Sequence, residues 1–397
     1  MSKISKLEFY SRIERIREKM RSEGFDVCFV YGDEYRRENL RYVSNYWPIF
    51  ERGALLIPLA GEPVLLAAPE GERVCREMSA WQDIRLVPDF ACVTVPDAIE
   101  YPQAHYTNFL EAFRSMSSGG KLSRVGVAGM DAMSHNVLET IRSSLPDVEL
   151  ADANNLMFEL RLIKSQEETA CLKEAARIAD AGYLALLQSS AVGKTELQLA
   201  AAAHEAAYRE GAENVVFCLV SSGERVGTII GRATNKVIED GDMVMAALAV
   251  QYEGYIATVN FPFVVGTMSA IQRELIDLLI EANDRAMPHL KAGAPQAKLV
   301  QAVKKYFNDR GVREYDLYPP LHGCGAAEAE SPYPDERTEG AFAVGMTVNT
   351  DISLFGHPGG SNRIEEGFII TENGFEPMSA LVRELCRQWK ETGEIHV

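Results

Sequence analysis

His322, Asp351 and Glu365 carry groups that could do acid–base chemistry. His322 stands in Pro319-Pro320-Leu321-His322-Gly323-Cys324-Gly325, where flanking glycines are expected to let a ligand approach the backbone closely. Asp351 and Glu365 lie on either side of Gly356-His357-Pro358-Gly359-Gly360, which reads as the turn of a hairpin. Residues facing each other across a hairpin have numbers of constant sum, so a turn centred near Pro358 sets Asp351 against Glu365. Two facing carboxyls repel, so either one holds a proton or the pair attracts a positive group such as a cationic or amidine-like substrate. An imidazole as general base toward water, one carboxyl orienting a substrate and the other protonating a leaving group together suit a hydrolysis. The plain alternatives are acids that are solvated or bonded to backbone amides, and a histidine on a surface loop.

A second hairpin, 243–250 with 255–265, presents no such acids. With its turn centred on Tyr252 and Glu253, Ala247 is expected to face Thr258. Thr258, Asn260, Tyr252 and Tyr255, with Phe261 and Trp47, are candidates to line a substrate pocket, although aromatics more often belong to a core. His357 either enters the cleft from its glycine-rich turn or is exposed. Cys324 beside His322 reads as a nucleophile or, preferably, as a small space-filling thiol. Arg52, in Phe50-Glu51-Arg52-Gly53, is a surface arginine or a bidentate clamp for a substrate carboxylate.

The elements that must position these residues fall into two regions. Up to about residue 155, helical and strand patterns alternate. Ile13, Ile16 and Met20 recur at helical spacing before Gly24, 25–31 reads as a buried strand, and 54–59 with 63–66 as a hairpin. Strands are expected at 124–128 and 148–151, with a helix at 131–144 between them. Beyond this, Ser165-Gln166-Glu167-Glu168 is a capping box opening a long helix, and Thr195 and Ser269 open two more. A fourth helix, 295–308, ends before Gly311. The expected fold class is α+β, with an α/β domain over 1–155 and a second domain with two prominent hairpins over 156–397.

Composition narrows the function. The 397 residues, 47% hydrophobic and 24% charged, are those of a folded globular protein. A net charge of −17 repels phosphate backbones and anionic lipid, so nucleic acid is not an expected partner. No apolar run approaches a membrane span and the N-terminus does not read as a signal core, so no membrane partner and a cytoplasmic location are expected. Seven dispersed cysteines with no CxxC spacing suggest neither a disulfide framework nor a zinc knuckle.

Several segments in order carry a resemblance: Leu160-Arg161-Leu162-Ile163-Lys164-Ser165-Gln166-Glu167-Glu168, Glu239-Asp240-Gly241-Asp242, His322-Gly323-Cys324-Gly325, and Arg363-Ile364-Glu365-Glu366 before Ile370-Thr371-Glu372-Asn373-Gly374. Over nearly the whole chain the sequence is similar to the creatinase, prolidase and aminopeptidase P superfamily. The resemblance implies an N-terminal creatinase-like domain, a C-terminal pita-bread catalytic domain and a homodimer. It also implies that Arg52 matches an arginine which creatinase-like dimers extend into the neighbouring subunit's site. Metal-dependent members hold two divalent ions with two aspartates on the first hairpin, a histidine and two glutamates on the second. Those positions here are Ala247, Thr258, His322, Asp351 and Glu365. A methyl and a hydroxyl cannot replace two carboxylates on hard cations, so the paired site is not expected to form. Two further histidine positions fall on Ile230 and Ala329, although Glu330 and Pro332 keep the frame of the second motif.

The preferred expectation is therefore a metal-independent hydrolase of the creatinase and ectoine hydrolase kind, without cofactor, cleaving a carbon–nitrogen bond in a small polar or zwitterionic molecule. Creatine itself is not expected, because creatinase has a glutamate at the position of Asn260 and a histidine at that of Ile230. The alternatives are a single-metal or Xaa-Pro peptidase-like enzyme with His322, Asp351 and Glu365 as ligands, a noncatalytic binding protein, and a lyase.

Overall fold

The structure, a computed structural model, describes residues 3–92, 105–117 and 121–396. The chain divides into two compact units, Ile4–Arg161 and Leu162–Val397.

The first unit runs α1 (Lys6–Glu23), β1 (Val27–Asp33), α2 (Glu38–Ser44), β2 (Arg52–Pro58), β3 (Val64–Ala67), α3 (Glu72–Met78), β4 (Ile84–Leu86), α4 (Phe109–Met116), β5 (Arg124–Ala128), α5 (His135–Ser144), β6 (Glu149–Asp152) and α6 (Asn154–Leu162). Its six-stranded sheet has the order β4-β3-β2-β1-β5-β6. The central strand is apolar without alternation because both its faces are covered. Cys28 and Val30 join Ile13, Ile16 and Met20 on one face. Val27, Phe29 and Tyr31 join Phe109, Phe113 and Ile141 on the other. Leu156, Met157 and Leu160 of α6 pack into the first of these clusters.

The second unit continues with α7 (Gln166–Ser189), α8 (Glu196–Arg209), β7 (Asn214–Ser222), β8 (Asp242–Tyr252), β9 (Tyr255–Asn260), β10 (Phe263–Val265), α9 (Ala270–Ala286), α10 (Gln296–Asp309), β11 (Leu321–Gly323), β12 (Thr347–His357), β13 (Gly360–Ile370), β14 (Phe375–Pro377) and α11 (Leu381–Thr392). Capping boxes at Ser165, Thr195 and Ser269 start α7, α8 and α9, each side chain bonding the amide three residues on. The eight-stranded sheet has the order β10-β8-β9-β13-β12-β11, with β7 on β8 and β14 on β13.

The helices cover one face of this sheet. At Gly182 of α7 a side chain would meet Leu248 Cδ2 at 2.8 Å and the Ala203 carbonyl at 3.0 Å, so glycine is what lets α7 lie against both β8 and α8. Asn283 of α9 and Arg383 of α11 both donate to the buried Glu366, at 2.7 and 2.9 Å. The neighbouring residue, Glu365, consequently projects to the opposite face.

The first hairpin corrects the expected register. Tyr252 pairs with Tyr255, Ala249 with Thr258 and Ala247 with Asn260, a slip of two from Ala247 facing Thr258. The reason is the turn. Glu253 and Gly254 both have positive φ, 48° and 83°, which is the demand of a two-residue primed turn, so the loop lies one residue further on than the sequence suggested. A slip of two preserves the face, so the site residues still point the same way. β9 and β10 keep one register against β8 and are interrupted only at Phe261-Pro262, where proline removes a ladder donor. In the second hairpin Asp351 faces Glu365, as expected.

Candidate functional site

The face of the second sheet opposite α7 and α9 gathers the candidate residues. Glu365 of β13 is flanked by Asp351 of β12 and by Asn260 of β9, and Asn260 in turn faces Ala247 of β8. His322 pairs with Asn349, two residues from Asp351 and therefore on the same side. Thr258, two residues before Asn260, shares that side too. One face across four strands thus presents His322, Asp351, Glu365, Asn260 and Thr258.

This face is rich in unsatisfied polarity. Asp351 Oδ1, Glu365 Oε2, both amide atoms of Asn260, Asn349 Nδ2, Ser353 Oγ, Arg363 Nε and Ser221 Oγ are buried and have no hydrogen-bond partner among the described residues. Buried polar atoms are costly without partners, so such a concentration on one face marks a place built to receive a ligand.

The facing acids already possess a counter-ion. Arg363 Nη1 lies 3.2 Å from Asp351 Oδ2 and 3.5 Å from Glu365 Oε1. The expectation that the pair would hold a proton or await a cationic substrate overlooked Arg363, although it stands two residues before Glu365 and strand alternation puts it on the same face. Burial still pushes the Glu365 carboxyl well above its ordinary value, with Arg363 opposing the shift and Asp351 adding to it.

His322 Nδ1 lies 2.9 Å from the Gly323 carbonyl, to which it donates, leaving Nε2 as an acceptor toward the site. Its neighbour there is Glu328, which the sequence did not single out. Glu328 Oε1 lies 3.9 Å from His322 Nε2 and accepts from the Thr258 hydroxyl at 3.3 Å. Single ligand atoms of His322, Glu328 and Glu365 all lie within 4.8 Å of one another. The segment carrying Glu328 is tied down by the buried Lys164 Nζ to Glu330 Oε1 pair at 2.6 Å, while Glu330 Oε2 accepts from the Ala327 amide. The glycines beside His322 serve this packing rather than a ligand. A side chain at Gly323 would run into the Ser331 carbonyl, and one at Gly325 would meet Glu330 Oε1 at 2.5 Å.

Other candidates are placed elsewhere. Tyr252 and Tyr255 project to the helix-covered face, where the Tyr255 hydroxyl donates to Glu168 at 3.0 Å. Phe261 is core, its backbone bonded to the Tyr183 hydroxyl. His357 lies at the tip of the second hairpin, roughly 20 Å along β12 from Asp351. There it accepts from the Gly359 amide and packs edge-on against Tyr315. Arg52 and Trp47 belong to the first unit, where Arg52 donates to the Ala91 carbonyl and Trp47 to that of Glu34. Cys324 is buried and burial pushes its thiol up to about 12, which suits space filling and not nucleophilic attack. Ile230 is 70% exposed, next to Ile229, whose carbonyl accepts from Arg363 at 3.4 Å.

Two family models account for nearly the whole chain. Residues 170–372 match the metallopeptidase family M24 and residues 12–163 the creatinase/prolidase N-terminal domain. The chain belongs to metallopeptidase family M24. Among curated relatives, the Xaa-Pro dipeptidase of Pyrococcus furiosus is 27% identical over 300 residues, 75% of this chain and 85% of that one. Among solved structures, the Xaa-Pro dipeptidase of Bacillus anthracis superposes with a TM-score of 0.77 at 25% identity, covering 94% and 98% of the two chains. The X-Pro aminopeptidase of Thermotoga maritima superposes with a TM-score of 0.80 at 22% identity, covering 93% and 97%. The fold is thus the expected creatinase-like domain followed by a pita-bread domain. The metal-independent, creatinase-like expectation is corrected: these similarities run to a metallopeptidase family and to Xaa-Pro dipeptidases, and so to the alternative expectation. That expectation rested on counting the acids of the first hairpin, and Glu328 lay outside the count.

The donor set can be tested against the metal such a family implies. A paired-ion site does not fit, because Ala247 and Thr258 contribute no carboxylate. A site for a single ion does fit: an imidazole nitrogen and two carboxylates converge, and Glu365 Oε2 is buried without a partner among the described residues. Among the described residues no helix is long and apolar enough to cross a membrane.

Proposed function

We propose that the protein is a cation-assisted hydrolase of carbon–nitrogen bonds in small, dipeptide-sized substrates, Xaa-Pro dipeptides first among them. The convergence of His322, Glu328 and Glu365 within 4.8 Å on an unsatisfied polar face carries this reading, and the similarity to Xaa-Pro dipeptidases supports it. A cation held by these residues would polarise the scissile carbonyl as a Lewis acid.

The rest of the chemistry belongs to the chain. Asn260, fully buried and opposite Glu365, offers its amide NH2 as donor and its amide oxygen as acceptor to the polar atoms of a bound substrate. Asp351 keeps Oδ1 open while Arg363 holds Oδ2, so Asp351 is placed to accept a proton from an attacking water. Thr258 orients Glu328 and the Gly323 carbonyl orients His322. The exposed Ile230 offers apolar surface close to Arg363 for a substrate ring.

The test is hydrolysis of a panel of Xaa-Pro and non-prolyl dipeptides by the purified protein, before and after chelation and after re-addition of manganese or cobalt. Activity that falls on chelation and returns with the ion supports the proposal. Full activity in chelator, or no turnover of any dipeptide after reconstitution, contradicts it.

A further inference from the structure

We infer that this protein binds one divalent ion, not two, and that Glu328 is its relocated carboxylate ligand while Asp351 is withdrawn from coordination by Arg363. The inference rests on the proposed function and adds the ligand set and the stoichiometry. Thr258 occupies the strand position where a carboxylate is missing, and its hydroxyl donates to Glu328 Oε1 at 3.3 Å. The carboxylate absent from β9 is thereby supplied from the loop after His322. Ligand atoms roughly 2.0–2.6 Å from one ion are separated by about 3–5 Å, the spread that His322, Glu328 and Glu365 already show. A second, independent sign is Asn260, fully buried beside Glu365 in register, with both amide atoms unpartnered among the described residues.

Charge decides between one ion and two. With an ion bound, the Glu328, Glu365 and Asp351 carboxylates bring three negative charges, and Arg363, itself 7% exposed, brings one positive charge that lies 3.2 Å from Asp351 Oδ2 and 3.5 Å from Glu365 Oε1. The remainder balances one dication with a neutral imidazole. A second dication would leave an excess of two positive charges beside the buried Arg363, with no further carboxylate among the proposed ligands to offset it.

Calorimetric titration of the chelated protein with Mn²⁺ and Co²⁺ tests this directly, with the cobalt absorption spectrum as a second readout and thermal melting as a check of folding. The wild type is expected to saturate at one ion per chain. Glu328→Gln and Glu328→Ala should each lose roughly 100-fold or more in affinity and change the cobalt spectrum, and Thr258→Val about 10-fold. Asp351→Asn should stay within about fivefold of wild type. Unchanged affinity in folded Glu328 variants, loss of binding in Asp351→Asn, or saturation at two ions would overturn the ligand assignment while leaving a cation-assisted hydrolase standing. A wild type that binds no ion would overturn the proposed function itself.

Discussion

Asp351 and Glu365 stand directly opposite each other on neighbouring strands, and the guanidinium of Arg363 reaches both. Removing that positive charge should leave two buried acids uncompensated. Arg363→Met is expected to cost about 3–5 kcal/mol of folding stability in urea titrations, and adding Asp351→Asn should restore part of it. Unchanged stability in the single variant would mean the three charges are not coupled.

The buried pair between Lys164 and Glu330 anchors the loop that carries Glu328. Lys164→Met alone should destabilise by about 3–5 kcal/mol, whereas the double substitution with Glu330→Met should cost clearly less than the sum of the singles. Additive losses in a double-mutant cycle would argue against this anchoring.

In the first unit, Glu51 accepts from the Gly71 amide, and burial pushes its carboxyl from an ordinary 4.5 up to about 7. Its folded value lies above its unfolded one, so its contribution to stability is complete below about 4.5 and is lost as pH rises through about 7. Glu51→Gln should therefore stabilise the protein by roughly 2 kcal/mol at pH 8 and give no gain near pH 4.5. An equal effect at both pH values would contradict a protonated Glu51.

Cys324 lies beside His322, yet its thiol is pushed up to about 12 and buried. Cys324→Ala should retain at least half of kcat/KM. Iodoacetamide at pH 8 should label the exposed Cys92 in the folded protein long before Cys324. Rapid labelling of Cys324 with loss of activity would restore it as a nucleophile.

Much of the fold was legible because local signals agreed. Three capping boxes began three helices, and the apolar central strand of the first unit announced a sheet covered on both faces. Asp351 opposite Glu365 followed from turn position alone. The first hairpin was misread by two because the turn was placed one residue early, and the positive φ of Glu253 and Gly254 with the pairing of Tyr252 and Tyr255 shows where it lies. Arg363 was within reach of strand alternation. Glu328 was not, since it sits in an irregular loop whose path is set by Lys164, a residue far away in sequence. The aromatic candidates of the first hairpin failed for a simple reason: alternation sends Tyr252 and Tyr255 to the face opposite Thr258.

The most direct test of the single-ion site is native mass spectrometry, with elemental analysis, of protein reconstituted with excess Mn²⁺ or Zn²⁺ and then desalted. One bound ion per chain is the predicted result. Two ions per chain, or none, would contradict it.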